Sequence, residues 1–227
     1  MVIRVLKLGI VDRNDELFTL GKDSASFNAK FIKNNNLEDC IDVRFLIDDE
    51  DPYFLGFEFL KENSADSLRL MASSRDKKIP GKKSYTRRVK VAGLLNEHRI
   101  ARLISKQEDV DSRSFEILKN ANESFYKIYF RPIFENEIKF EDRNQIPAGI
   151  GIYRYFDQEN NLVYIGKGQI KDRANSPDRV DWKIKKIQYS YLSNEEDCFK
   201  WENFYLKKFE EEKGVLPSFN RISGKSS

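Results

Sequence analysis

Six residues in the last third of this chain belong to types that carry chemistry: Tyr153, Tyr164, Lys167, Arg173, Glu202 and Asn220. Tyr153 follows Gly151-Ile152, and Tyr164 precedes Ile165-Gly166, in two β-rich runs, GIGIYRYF and LVYIGKG, joined by the turn-forming DQENN. A hairpin follows from propensity alone. Alternation puts Tyr153 and Tyr155 on one face of the first strand, with Tyr164 on the partner. Such a group is by itself more often a half-buried cross-strand cluster than a set of phenols placed to move a proton. The GKG that follows lets backbone N–H groups approach an anion. Behind it, Lys167, Lys171, Arg173, Arg179, Lys183, Lys185 and Lys186 concentrate positive charge.

Glu202 lies in SNEEDCFKWENFYLKKFEEEKG, a helix by its pattern: Ser193-Asn194 as cap, acidic residues in the first turn, and Gly214 as stop. Spacings of three and four put Cys198, Phe199, Glu202, Tyr205, Leu206 and Phe209 on one face. An ionised carboxylate on an apolar stripe is costly unless a cation or strong donors compensate it. Glu210, Glu211 and Glu212 fall on the wet side. Glu202 therefore pairs with an arginine or lysine, or it holds a metal.

The elements that position these residues begin in a β-rich first half. VIRVLKLGIV, IDVRFLI, YFLGFEFL and SLRLM read as strands, and SASFNAKFIKNNNL reads as a short helix opening at a serine cap. Pro80-Gly81 marks a basic loop in SSRDKKIPGKKSYT. VAGLLNEHRIARLISK reads as one amphipathic helix with Arg99, Arg102 and Lys106 outward and His98 at the surface. SFEILKNA and FYKIYFRPIF add two strands. The polar ENEIKFEDRNQIPAG, ending in Pro147, places a domain boundary near residues 141 to 147, between a region 1–145 and a region 146–227.

The net charge is only +3, from 40 basic and 37 acidic residues, so distribution matters more than total. Acidic residues dominate up to Asp66. From Arg75 to Lys106 only Asp76 and Glu97 oppose a run of cations, as a polyanion contact requires. Lys77, Lys78, Lys82, Lys83, Arg87, Arg88 and Lys90 are the candidates there, with Lys185 and Lys186 further on; a merely solvated loop and helix face is the alternative. Cys40 and Cys198 lack metal spacing and His98 is the one histidine, which excludes a zinc finger or histidine cage. The first residues are too interrupted by Arg4 and Lys7 for a signal peptide, and no apolar run has membrane length. The expectation is a cytoplasmic protein with reduced thiols, not a membrane protein.

Gly151-Ile152-Tyr153, ten further residues, Tyr164-Ile165-Gly166, then Arg173, Glu202 on a helix and Asn220 after a proline-containing turn: this ordered set resembles the GIY-YIG nuclease domain over residues 147 to 224. The resemblance implies an α+β fold whose C-terminal domain has a three-stranded antiparallel sheet flanked by helices. It implies hydrolysis of a nucleic-acid phosphodiester with one divalent metal, Mg²⁺ or Mn²⁺. Glu202 would be the only protein ligand, with water and phosphate oxygens completing the shell. Arg173 would hold the scissile phosphate, with Arg179 as its alternative because the segment from Tyr164 to Arg173 is a residue short and no histidine follows it. Tyr153 would be the general base and Tyr164 would orient it or the nucleophile. A free phenol titrates near about 10, so that base needs cations beside it, and Lys167 is placed to serve. Asn220 would support the site from behind.

The resulting expectation is a DNA endonuclease, of restriction type, targeted by its N-terminal region. A mobile-element or repair nuclease, a non-catalytic nucleic-acid-binding protein and a binder of acidic partners are the alternatives. One active site per chain requires a homodimer or successive nicks for a double-strand break.

Overall fold

The computed structural model describes residues 15–72, 85–120 and 122–220. The expected first strand VIRVLKLGIV and four expected polyanion contacts, Lys77, Lys78, Lys82 and Lys83, lie outside the described residues. The architecture is mixed α+β with antiparallel sheets. The chain divides into two units after Phe130.

In the first unit the order is β1 (Leu17–Leu20), β2 (Ser24–Phe27), α1 (Ala29–Asn34), β3 (Asp42–Leu46), β4 (Phe54–Leu60), β5 (Leu68–Arg69), β6 (Met71–Ala72), β7 (Arg87–Lys90), α2 (Ala92–Glu97), α3 (Arg99–Ser105), β8 (Ser114–Glu116) and β9 (Tyr126–Tyr129). One sheet runs β6-β7-β2-β1-β8 and the other β5-β3-β4-β9. Aromatic rings join them. Phe18 of β1 stacks on Phe57 of β4 at 5.8 Å, and Phe27 of β2 meets Phe57 edge-on at 5.1 Å. All three are fully buried, each burial contributing about 1.5–3 kcal/mol.

Two helix expectations in this unit are corrected. Ser24–Phe27 is a strand, because Ala25 and Phe27 alternate inward and pair with both β1 and β7. The helix opens instead at Asn28, whose Oδ1 accepts from Phe31 N at 3.0 Å. The single helix expected over residues 91 to 106 is broken in two at His98. That residue is extended (φ −103°, ψ 99°), and its Nδ1 accepts from Ala101 N at 3.2 Å to cap α3. Nor is His98 at the surface: it is 7% exposed, with Nε2 3.1 Å from Phe54 O. Burial holds its pKa below the ordinary imidazole value.

The second unit contains β10 (Asn136–Lys139), β11 (Ile150–Asp157), β12 (Leu162–Gln169), α4 (Ile170–Ala174), β13 (Ile184–Tyr191) and α5 (Glu195–Lys213). Its sheet has four strands, β10-β13-β11-β12, where three were expected. The extra strand also explains the boundary. β10 pairs with β13, Ile138 opposite Ile187, so the chain joins this unit ahead of residues 141 to 147. Tyr153, Tyr155, Ile170, Ile184 and Ile187 form the buried heart of the unit. Among the described residues no helix is long and apolar enough to cross a membrane.

Candidate active site

The hairpin of β11 and β12 sets Tyr155 opposite Tyr164 and Tyr153 opposite Gly166. The three phenol rings form one pile, with Tyr155 stacked on Tyr153 at 5.2 Å and on Tyr164 at 5.5 Å. Gly166 makes room for it. A Cβ there would lie 2.5 Å from Tyr164 Cε1 and 2.8 Å from Tyr153 Oη. Gly151 is stricter, since its Cβ would fall 2.0 Å from the Ser190 carbonyl oxygen on β13. Both tripeptide glycines are thus required by close approach.

Strand alternation sends Lys167, opposite Ile152, to the other face from Tyr153. There it meets α5. Asn194 caps that helix by accepting from Asp197 N at 2.8 Å, three carboxylates sit in its first turn, and Gly214 ends it at φ 74°. Cys198 is buried and Glu202 follows one turn later. Lys167 Nζ donates to Glu202 Oε2 at 2.6 Å, with the glutamate side chain 15% exposed. Glu202 Oε1 makes no hydrogen bond among the described residues.

A pocket of about 460 Å³ gathers Tyr153, Tyr164, Lys167, Arg173 and Glu202, with Glu195, Cys198 and Phe199 completing its wall. Five of the six expected catalytic residues therefore share one cavity. The sixth, Asn220, stands behind it and holds β12 from its edge: its Oδ1 accepts from Ile165 N at 2.9 Å and its Nδ2 donates to Ile165 O at 2.7 Å. Phe219, the preceding residue, stacks on Trp182 at 4.0 Å.

The two arginines separate clearly. Arg173, on the exposed side of α4, forms no ion pair among the described residues and lines the pocket. Arg179 is buried, its guanidinium 3.9 Å from the centre of the Trp182 ring and 4.8 Å from that of Tyr164, and it pairs with Asp178 at 3.0 Å. It lies against the phenol pile and is not among the residues that line the pocket.

Electrostatics bear on the role expected of Tyr153. Burial, then the neighbouring Tyr155 and Tyr164 phenols, push the Tyr153 hydroxyl far above the ordinary phenol range, against Arg173 and Arg179. Lys167 does not rescue a phenolate there, because its ammonium is engaged by Glu202. The Tyr153 hydroxyl is thus held in its protonated form near neutrality. Cys198 is also inert: burial and the adjacent Asp197 and Glu195 carboxylates raise its thiol to about 11.

Of the expected nucleic-acid contacts, Lys185 and Lys186 line a different cavity beside Glu137 and Asn160, Lys186 pairing with Glu137 at 2.8 Å. In the first unit Arg88 and Lys90 are exposed on β7, whereas Arg87 donates to Glu38 O at 2.9 Å. Phe199, expected inside, is 57% exposed with Lys167 Nζ 4.9 Å from its ring centre. Glu195 also reaches the pocket, two helical turns from Glu202, which the i, i+7 spacing could have revealed.

Among the described residues no group of three or more His, Cys, Asp and Glu side chains could hold a metal. A lone carboxylate does suit Mg²⁺ or Mn²⁺, which keep most of their shell as water and substrate oxygen, and Glu202 has one oxygen without a partner among the described residues. Comparison with protein-family models, with curated proteins and with solved structures gives no match for this chain.

Proposed function

We propose that this chain is a divalent-metal-dependent endonuclease of the GIY-YIG kind that hydrolyses DNA phosphodiester bonds, acting as a restriction-type enzyme in the cytoplasm. The observation that supports this is the convergence of Tyr153, Tyr164, Lys167, Arg173 and Glu202 on one pocket. Phosphodiester hydrolysis needs charge neutralisation at the phosphate, an oriented water and a stabilised leaving oxygen. Arg173, with no carboxylate partner, offers parallel N–H donors to phosphate oxygens. Glu202 would hold Mg²⁺ or Mn²⁺ through its unpartnered oxygen, and the bound ion would offset phosphate charge and acidify its water. Tyr153 donates a hydrogen bond that orients the nucleophile or the phosphate. Tyr164 shares the pocket wall, and Asn220 keeps β12 in register behind both. Lys167 neutralises the Glu202 carboxylate while no ion is bound.

So small a cavity has little surface for reading bases, so sequence choice falls to the first unit, where Arg88 and Lys90 are exposed. Cutting both strands takes a second copy of the chain or two successive nicks. The Lys167–Glu202 pair favours a second reading, in which a closed ion pair leaves a non-catalytic DNA-binding protein. Incubating supercoiled plasmid with the chain and Mg²⁺, then with EDTA, separates the two. Nicking that EDTA stops is expected; DNA binding without nicking in Mg²⁺ or Mn²⁺ would leave the second reading.

A further inference from the structure

The first unit carries a cationic cavity of about 580 Å³ on the outer face of its five-stranded sheet. Register defines its floor. Arg88 of β7 lies opposite Ser26 of β2, Ser26 opposite Thr19 of β1, and Thr19 opposite Ser114 of β8. The adjacent row, Arg87, Phe27, Phe18 and Phe115, sends its phenylalanines to the core, so alternation turns Arg88, Ser26 and Thr19 to the outer face, with Ser114 buried at its edge. Lys22, in the turn between β1 and β2, and Arg113 complete the wall.

An exposed antiparallel face is ordinarily polar, but its charges here are unbalanced. The unit's other sheet neutralises its arginines: Arg44 reaches Glu58 at 2.9 Å and Asp66 at 2.8 Å, and Arg69 reaches Asp42 at 3.4 Å. Around this cavity Lys22, Arg88 and Arg113 have no ion pair among the described residues, and only Asp23 offers an opposing charge. Arg88 donates to Ser24 Oγ at 2.8 Å, and Arg113 Nη1 donates to Leu20 O at 2.8 Å. Arg113 Nε is buried with no hydrogen-bond partner among the described residues.

We propose that this cavity binds a backbone phosphate of duplex DNA, with Lys22, Arg88 and Arg113 as its cations and the Ser24 and Ser26 hydroxyls as neutral donors. Guanidinium, ammonium and hydroxyl donors are the groups that hold phosphate oxygens without reading bases. The ligand's identity rests on the nucleic-acid reading above, but the site does not depend on cleavage.

Fluorescence anisotropy of a labelled duplex, titrated with the full chain in EDTA across a salt series, tests it. Lys22→Gln and Arg88→Gln should each weaken binding about tenfold and lower the log–log salt slope by about one. Lys22 lies in an exposed turn, so its variant tests the site without disturbing the sheet; Arg113→Gln loses a backbone bond and is interpreted only beside its melting curve. Unchanged affinity and slope in both Lys22→Gln and Arg88→Gln overturn the site while leaving the nuclease proposal standing. Loss of binding in these variants, from a wild type that binds but never cuts with Mg²⁺, supports the site and sinks the nuclease reading. Stronger binding to phosphatidylserine vesicles than to duplex, lost in the same variants, overturns DNA as the ligand.

Discussion

Lys167 of β12 and Glu202 of α5 are joined by a 2.6 Å hydrogen bond at the wall of the pocket that also holds Tyr153, Tyr164 and Arg173. The pair resolves how a carboxylate is tolerated on the inner stripe of a helix, since a cation from the sheet compensates it. On the proposed function, Lys167 and a divalent ion would compete for one carboxylate. Lys167→Gln should therefore bind Mn²⁺ about fivefold more tightly, as loss of a partly exposed pair worth about 1 kcal/mol requires. Mn²⁺ titration followed by electron paramagnetic resonance measures this. Unchanged or weaker affinity would remove Glu202 from the metal site.

Glu202→Gln keeps the shape of the side chain and removes its charge. It should abolish nicking while DNA affinity in EDTA stays at the wild-type value. Residual cleavage equal to wild type would refute the ligand assignment.

Tyr153→Phe deletes one donor from the phenol pile and should slow cleavage by about 10²–10⁴-fold, the range of a positioned proton or hydrogen-bond donor. Because the hydroxyl is held protonated, the wild-type rate should not climb between about pH 7 and about pH 9.5 through this group. A tenfold rise per pH unit in that window, absent from Tyr153→Phe, would restore the phenolate base.

Gly166→Ala inserts a methyl 2.5 Å from Tyr164 and 2.8 Å from the Tyr153 hydroxyl. The rings must separate, at about 1–3 kcal/mol by the usual scale of overpacking. A lower melting temperature with lost nicking is expected. Gly151→Ala, whose methyl meets backbone at 2.0 Å, should be worse. Wild-type melting in both would mean that the strands are not this close.

His98 gives a pH signature. Burial depresses its folded pKa, while the unfolded chain titrates near about 6.5. The unfolded state thus binds more protons just below that value, so this contribution is complete above about pH 6.5 and lost as pH falls through the folded pKa. Protonation would also turn Nδ1 from acceptor to donor against Ala101 N. Denaturant unfolding at about pH 7.5 and about pH 5.5 should show a smaller loss of stability for His98→Asn than for wild type. Equal losses would place the titration elsewhere.

The hairpin, the long capped helix and the inward turn of Glu202 were all legible from local pattern, because they depend on alternation, helical spacing and cap chemistry within one segment. The helix expected to open at Ser24 was misread because a four-residue strand and a short helix share one run of residues, and only pairing with β1 and β7 decides between them. Phe199 was misplaced by the same logic, since a stripe marks residues that can face inward and not how far the sheet beneath extends.

The sequence by itself determined which residue types stand in which order: two phenols on paired strands, cations after them, one carboxylate on a helix face and an asparagine near the end. It could not determine which charge meets which. That Lys167 goes to Glu202 and not to a phenolate, that Arg173 has no ion pair among the described residues while Arg179 sinks under Tyr164, and that Arg88 and Arg113 share one hydroxyl-lined cavity were decided by the tertiary structure. Pairing energies and burial depend on distance and solvent exclusion across segments far apart in the chain, and neither quantity is written in local spacing.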